Sequence, residues 1–147
     1  MKKPDNMDVC SRLLSRSGLD YTPNRHGVLE VVAMSDGPVT APEIHRRLSR
    51  LGGVNRTTVY RILDLMVEHG LLERISSGDG VFRYGVGETA GHTRHPHFFC
   101  TRCREMACLD SETVNLDMDS LCRNFSGRVY RIEVRMDGIC EACLGRK

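Results

Sequence analysis

Residues 55–70 read NRTTVYRILDLMVEHG and carry the clearest periodic pattern in the chain. The apolar positions are Val59, Ile62, Leu63, Met66 and Val67. They recur at intervals of three and four residues, which is the spacing of one face of an α-helix. Asn55 suits the N-cap of this helix, and Gly70 suits its C-terminal stop. The opposite face near the N-terminus is polar and carries Arg56, Thr57, Tyr60 and Arg61.

Upstream of this helix, the sequence predicts three shorter helices. Gly52-Gly53 forms a turn, and the helix before it begins with a capping box in which Glu43 follows Thr40 by three residues. The buried stripe predicted for that helix is Ile44, Leu48 and Leu51. A second helix starts at Thr22-Pro23, and a first one covers about residues 7–17.

Downstream of the periodic helix, the sequence predicts a β-hairpin. The runs 71–75 and 81–84 mix apolar and charged residues and lie on either side of the turn Ser77-Gly78-Asp79-Gly80. Short helices joined by a tight turn and followed by a hairpin are typical of a winged helix-turn-helix. The periodic helix then becomes the recognition helix, whose N-terminal part contacts base edges in the major groove.

The polar face of that helix has the residue types that such contacts need. Arginine, here Arg56 and Arg61, pairs with guanine, and the Thr57 methyl contacts the methyl of thymine. Tyr60 and backbone amides can hold phosphates, which fixes the register on the duplex. Residues 44–63 hold five arginines and no acid, which favours phosphate binding. The alternative is an ordinary solvated basic helix face.

The second half of the chain contains six of the seven cysteines. They include two Cys-x-x-Cys pairs, Cys100/Cys103 and Cys140/Cys143. Two such pairs brought together give the tetrahedral sulfur coordination of a closed, structural zinc site. A redox dithiol is the alternative, although it needs only one pair. Cys10 and Cys122 are interpreted as ordinary buried or surface cysteines.

A second candidate metal cluster lies just before the first Cys-x-x-Cys pair. In an extended chain, His95 and His97 project to the same side, so both imidazoles can bind one ion. Glu88 and Cys108 complete a predicted set of four ligands, and His92 is an alternate ligand. The alternative is that these histidines are ordinary surface residues.

Between the two Cys-x-x-Cys pairs, the sequence predicts an α/β unit. We expect a strand at 106–109, a helix at about 112–124 and a strand at 129–136, where apolar and polar residues alternate. A strand with one apolar face suits the shared sheet of a homodimer.

Composition and motifs limit the classes of function. The chain has 147 residues, 40% hydrophobic residues and a net charge of +2. No apolar run is long enough for a membrane span, and the N-terminus has no signal-peptide pattern, so we expect a cytoplasmic protein. No hydrolase, deaminase or phosphate-loop motif is present, so we expect neither an enzyme nor a small organic substrate. The predicted fold class is α+β, with a DNA-binding domain at 1–85, a linker at 86–91 and a metal-binding dimerisation domain at 92–147.

In these motifs the chain resembles the ferric uptake regulator family. The matching stretches are Thr22-Pro23-Asn24-Arg25, residues 57–61, the block from His95 to Cys103, and Cys140-x-x-Cys143. The resemblance implies a dimeric repressor that binds palindromic operator DNA, with a structural zinc and a regulatory metal site near the hinge. Tyr60 and Arg61 match DNA-contacting positions, and His95 and His97 match regulatory histidines. Glu88 lies where a carboxylate ligand is usual.

Departures from the family pattern bear on the metal. Pro38 replaces a histidine that is usual before the third helix, and Cys108 lies where many members have an acid. Arg104 replaces the usual glycine after the first Cys-x-x-Cys pair. The ligands of a second site are absent, since the positions hold Arg94, Pro96, Asn115 and Ile132.

A thiolate in the regulatory set resembles the zinc uptake regulator branch and favours zinc over manganese or magnesium. Ferrous iron, nickel and cobalt stay open as the second divalent metal. The alternative functions are an iron-responsive or peroxide-sensing regulator on the same scaffold, and a zinc-ribbon module that binds proteins and not DNA.

Overall fold

The structure, a computed structural model, describes residues 6–91 and 94–146. Backbone contacts divide the chain into two compact units, Met1–Arg94 and His95–Lys147.

The first unit is a winged helix-turn-helix, as the sequence predicts. Four helices and a three-stranded antiparallel sheet of order β1-β3-β2 make up its described part. The elements are α1 (Asn6–Arg16), α2 (Pro23–Met34), β1 (Val39–Thr40), α3 (Ala41–Ser49), α4 (Arg56–Glu68), β2 (Leu72–Ile75) and β3 (Arg83–Val86). The two-residue strand β1, which the sequence did not reveal, pairs with β3.

The helices begin where the capping residues predict. Thr22 Oγ1 accepts the N–H of Arg25 at 3.1 Å. The capping box of α3 is closed, because the Thr40 N–H donates to Glu43 Oε2 at 2.9 Å and the Glu43 N–H donates to Thr40 Oγ1 at 3.4 Å. Asn55 Oδ1 accepts the N–H of Thr57 at 2.8 Å. Each cap satisfies an amide that the first turn leaves without an intrahelical acceptor.

One apolar core joins the helices and the sheet of the first unit. Four of the five predicted stripe residues of α4 are buried, and Val67 is partly buried against them. The prediction that Leu51 is buried was wrong, since it is 83% exposed. Helix α3 ends at Ser49, so Leu51 lies in the turn after the helix and no longer follows the helical face.

The wing is the hairpin formed by β2 and β3, and a buried polar network closes its loop. The Arg83 guanidinium donates to both Asp79 carboxylate oxygens at 3.1 Å and to Ser77 Oγ at 2.6 Å. Ser77 Oγ donates to the carboxylate of Asp79 and to the carbonyl of Val81. The bond from Arg83 holds the pKa of Asp79 well below its usual range. This network fixes the loop, and the β3 ladder begins only at Arg83.

The second unit is built around a mixed three-stranded sheet of order β5-β4-β6. Strand β4 runs antiparallel to β5 and parallel to β6. The elements are β4 (His97–Cys100), β5 (Met106–Cys108), α5 (Met118–Arg123), β6 (Arg135–Gly138) and α6 (Glu141–Leu144). One-turn 3-10 helices occur at Glu88–Ala90 in the first unit and Ser111–Thr113 in the second.

Two sequence predictions for the second unit were wrong in extent. The helix predicted at 112–124 is a 3-10 turn followed by the short α5, because Asp117 caps a new start by accepting the Ser120 N–H. The strand predicted at 129–136 forms only from Arg135 onward. Strand β6 pairs with β4, whose first residue His97 lies opposite Arg135. Within the described residues, the earlier part of the alternating run therefore has no neighbouring strand.

Candidate metal centres and nucleic-acid interface

The four residues predicted to contact DNA lie together on one exposed face of α4. Arg56, Thr57, Tyr60 and Arg61 are all exposed, and the first turn of the helix contains no acid. Their neighbours Val59 and Ile62 are buried. The buried stripe therefore fixes which side of the helix turns outward.

The turn before α4 sets its direction relative to α3. Gly52 and Gly53 have φ of 146° and 73°, which side chains rarely tolerate. His45 on α3 donates from Nε2 to the carbonyl of Val54 at 2.9 Å. This bond ties the end of the turn to the preceding helix.

Sequence reasoning missed Arg74, which links the wing to the recognition helix. Its guanidinium lies 4.7 Å from the centre of the Phe82 ring. It also forms an ion pair of 3.8 Å with Asp64 on α4. Arg74 and Tyr84 are cross-strand partners in the wing sheet. A single arginine on β2 does not stand out from sequence, because its partners come from α4, from β3 and from the loop before β3.

The four predicted zinc cysteines form one cluster in the second unit. The Sγ atoms of Cys100, Cys103, Cys140 and Cys143 all lie within 4.8 Å of one another. The Cys103 and Cys140 sulfurs, one from each pair, are 3.9 Å apart. Tetrahedral zinc with Zn–S bonds of about 2.3 Å places its sulfurs roughly 3.8 Å apart. The cluster therefore fits a zinc ion.

Backbone amides are directed at one of these sulfurs. The N–H groups of Cys103 and Cys140 donate to Cys100 Sγ at 3.5 and 3.4 Å, and they lower the pKa of that thiol to about 6. The pKa of Cys143 is raised to about 12 by its contact with Cys140 and by burial. Four clustered sulfurs cannot all become thiolates by themselves, so a cation is the natural partner of this set.

The two turns of the cluster, the first knuckle (Cys100–Cys103) and the second knuckle (Cys140–Cys143), are also joined by hydrogen bonds. The Thr101 N–H donates to the Gly138 carbonyl at 2.8 Å. Arg102 donates to the carbonyl of Cys143 at 2.7 Å. These bonds hold the two knuckles in register through groups other than the sulfurs. The sequence alone does not indicate that Arg102 joins the two knuckles.

Arg104 has a backbone conformation that favours glycine, which is the usual residue at this position in the family that the sequence resembles. It has φ of 63° and is the one described residue other than glycine with positive φ. Its N–H donates to the Cys100 carbonyl at 2.8 Å, which closes the first knuckle. Left-handed backbone costs an L-residue about 1–2 kcal/mol, so arginine here carries strain that glycine avoids.

Three of the four ligands predicted for the second cluster lie close together. One ligand atom from each of His95, His97 and Cys108 lies within 4.8 Å of the others. His97 is directly opposite Cys108 in the β4–β5 ladder, so both side chains lie on one face of the sheet. His95 precedes His97 by two residues, and their ring centroids are 4.6 Å apart. Two imidazoles and one cysteine sulfur are therefore placed where they could hold one metal ion.

The other two predicted ligands are not part of that described set. Glu88 lies in the first unit, where its carboxylate accepts from Arg94 Nε at 2.7 Å. His92 falls outside the described residues. Cys10 is buried in the core of the first unit, where burial raises its pKa, and Cys122 is exposed. Neither cysteine belongs to a candidate metal cluster among the residues that the structure describes.

Across residues 6–91 and 94–146, the helices are all too short or too polar to span a bilayer.

Comparison with known proteins places these motifs in one family. The sequence model of the ferric uptake regulator family matches residues 16–135. The ferric uptake regulation protein of Bacillus subtilis (strain 168) is 22% identical over 145 residues, which cover 97% of each chain. The peroxide operon regulator of the same organism is 27% identical over 133 residues, which cover 88% of each chain.

A solved structure described as a zinc uptake regulator complexed with zinc and DNA has the same fold. It is 22% identical, the alignment covers 97% of each chain, and the TM-score is 0.71. The chain belongs to the ferric uptake regulator family.

Proposed function

We propose that this protein is a homodimeric, metal-dependent transcriptional repressor that binds operator DNA when a regulatory zinc ion is bound. The observation that carries the proposal is the cluster of His95, His97 and Cys108, which lies on the same sheet as the first zinc knuckle. A structural zinc in the four-cysteine site would not respond to metal supply. A separate, less cysteine-rich site is what a sensor needs.

The donor set supports zinc as the regulatory metal. Thiolate and imidazole ligands suit zinc better than manganese or magnesium, which prefer oxygen. Glu88, on the proposed assignment, supplies the fourth ligand. To bind the ion, the protein would supply two neutral imidazoles, one deprotonated thiol and one carboxylate as ligands.

The proposed DNA surface is the exposed face of α4. Arg56 and Arg61 are placed to contact guanine edges or phosphates, and Thr57 and Tyr60 to contact a thymine methyl and the backbone. Two copies of α4 must lie about 34 Å apart to reach successive major grooves. An ion that favours that spacing binds the DNA-competent state more tightly, and operator DNA then strengthens metal binding by the same factor.

The second unit has the surface of a homodimerisation domain. Much of its apolar surface is exposed in the single chain. The exposed large apolar residues here are Leu116, Met118, Leu121, Phe125, Val129, Tyr130, Met136, Ile139 and Leu144. A monomer rarely leaves so many exposed in one small unit. A second copy of the chain that pairs beside residues 129–136 would cover the apolar face of this alternating run.

Metal-dependent DNA binding by variants tests the site. His95→Ala/His97→Ala should abolish zinc-stimulated binding to operator DNA, selected from a random-sequence library, while one zinc per chain stays bound at the cysteine cluster. Cys122→Ser is the matched control, because Cys122 is exposed and outside both clusters, and it should behave as wild type. Unchanged zinc stimulation in the double variant would contradict the assignment.

A peroxide-sensing regulator is the second candidate, favoured by the 27% identity to the peroxide operon regulator. Its signature is loss of DNA binding on peroxide addition at constant free metal. We expect the zinc-dependent repressor to control metal-uptake genes, and we expect either regulator to act in the cytoplasm. Zinc-dependent binding that resists micromolar peroxide would favour the zinc regulator.

A further inference from the structure

The wing contacts the recognition helix through an arginine on β2. The guanidinium of Arg74 lies 3.8 Å from the carboxylate of Asp64 on α4. The ring of Phe82 is centred 4.7 Å from the same guanidinium, within the range of a cation–π contact. Tyr84, the cross-strand neighbour of Arg74, forms a side-chain hydrogen bond with it. Two groups of the wing and one of the helix therefore hold this cation.

Asp64 lies on the stripe of α4 that is proposed to face DNA. The exposed members of this stripe recur at intervals of three and four residues and are Thr57, Tyr60, Arg61 and Asp64. That spacing places them on one side of the helix. Residues 56–63 contain no acid, so Asp64 is the first negative charge along the stripe. A carboxylate in this place repels phosphates unless a cation offsets its charge, and Arg74 is placed to do so.

The ion pair of Arg74 and Asp64 is too exposed to serve mainly as a structural contact. The side chains are 43% and 67% exposed, and pairs of this kind contribute little to folding stability. Their separation of 3.8 Å exceeds that of a charge-assisted hydrogen bond, which is about 2.7–2.9 Å. A competing anion can therefore displace the carboxylate. Phe82 and Tyr84 belong to the wing, so they would still hold the guanidinium after that exchange.

We propose that Arg74 binds a phosphate of the DNA backbone, and that Asp64 occupies the place of that phosphate in the free protein. The inference rests on the proposed DNA surface of α4 and adds to it a contact from the wing. A carboxylate and a phosphate both present anionic oxygens to a guanidinium, so one can replace the other. Asp64 is then an internal competitor that DNA of any base sequence must displace. Removal of its charge should strengthen DNA binding through Arg74.

A double-mutant cycle separates this competition from the general effect of charge. Asp64→Asn removes the competing carboxylate, Arg74→Gln removes the phosphate contact, and the combined variant removes both. Glu68→Gln is the matched control, because Glu68 is an exposed acid one turn further along α4 and its loss changes the net charge equally. The full-length, zinc-saturated proteins are titrated by fluorescence anisotropy against selected operator DNA and a scrambled duplex of the same length.

Asp64→Asn should bind both duplexes about three- to tenfold more tightly than wild type, which is the scale of one exposed ion pair in each chain of a dimer. Glu68→Gln, and Asp64→Asn added to Arg74→Gln, should each change affinity by less than about twofold, because exposed charges away from a contact are screened. Unchanged or weaker binding by Asp64→Asn, or an equal gain with and without Arg74, would overturn the inference. Wild-type binding that zinc does not stimulate would instead refute the proposed function, while the ratios between variants still decide this inference.

The salt dependence of the same titrations gives a readout that a merely structural role of Arg74 would not change. Each phosphate that a cation neutralises contributes about 0.9 to the slope of log affinity against log salt concentration. Arg74→Gln should therefore reduce the magnitude of this slope by about 0.9 for each bound chain, on operator and scrambled DNA alike. A slope equal to that of wild type would overturn the inference even if Arg74→Gln binds DNA more weakly.

Discussion

The ion pair in the wing allows a worked prediction of stability. Asp79→Ala removes two carboxylate oxygens, each 3.1 Å from a guanidinium nitrogen of Arg83. The carbonyl of Val81 and the Ser77 hydroxyl remain as acceptors. Only 5% of the Arg83 side chain is exposed, so the variant keeps a buried cation that has lost its carboxylate counter-ion.

The magnitude follows from that burial. Removal of one partner from a buried ion pair costs about 3–5 kcal/mol, and we expect about 3 kcal/mol because the two neutral acceptors remain. In a domain of about 60–100 residues, each kcal/mol lowers Tm by about 4–8 °C, so Tm of the first unit should fall by roughly 12–24 °C.

The assay is thermal and urea unfolding followed by circular dichroism. Asp79→Ala/Arg83→Met is the matched control, since it removes the cation together with its partner and keeps most of the side-chain volume. The double variant should lose about 2 kcal/mol less free energy of unfolding than Asp79→Ala alone. A single variant that loses less than about 1 kcal/mol, or a double variant that loses more than the single one, would refute the reasoning.

The same pair sets a dependence on pH. Arg83 lowers the pKa of Asp79 below its unfolded value, which is about 3.9. The stabilisation is therefore complete above about pH 4 and is lost as the pH falls through the folded pKa. The deficit of Asp79→Ala relative to wild type should stay constant between about pH 7 and 5 and shrink below about pH 4.

The remaining predictions concern three arginines near the candidate metal sites. Arg104→Gly relieves left-handed backbone, so thermal unfolding should show the second unit stabilised by about 0.5–1 kcal/mol; destabilisation would contradict this. Arg102→Ala removes its bonds to the second knuckle, so a chelator should extract zinc several times faster, as read by a zinc indicator; an unchanged rate would count against the role. Arg94→Gln releases Glu88 from its ion pair, so regulatory zinc affinity in chelator competition should rise about two- to fivefold; weaker binding would mean that Arg94 supports the site.

The first unit was predictable because its signals are local. Thr22, Thr40 and Asn55 each cap a helix from within three residues, and the stripe of α4 depends only on its own spacing. The error at Leu51 has a local cause as well, because the helical period was continued two residues past Ser49, where α3 ends.

The second unit was harder because its elements depend on distant partners. Strand β6 pairs with β4 across more than thirty residues of sequence, and the alternation of 129–136 does not reveal where pairing begins. The sequence pattern of 112–124 also fits one longer helix. The short α5 forms instead because Asp117 caps a new helix start. The 3-10 turn at Glu88–Ala90 and its contact with Gly70 left no periodic signal.

The candidate metal residues were predictable because ligand chemistry restricts residue type. The Cys-x-x-Cys spacing identified all four sulfurs of the cluster, and the spacing of His95 and His97 identified a shared face. Cys108 entered the predicted set only as a thiol that follows the first knuckle, since its place opposite His97 depends on strand register. Arg102 and Arg74 could not be identified, because their roles depend on contacts made after folding.

The most direct test of metal-dependent repression is a titration of operator binding against buffered free metal, under anaerobic conditions, with zinc, ferrous iron and manganese in separate series. Fluorescence anisotropy of labelled operator DNA gives the affinity at each metal concentration. We predict tight binding that zinc switches on at the lowest free concentration, with two zinc ions per chain at saturation. DNA binding that is equal with and without added metal, or that only iron or manganese switches on, would contradict the account.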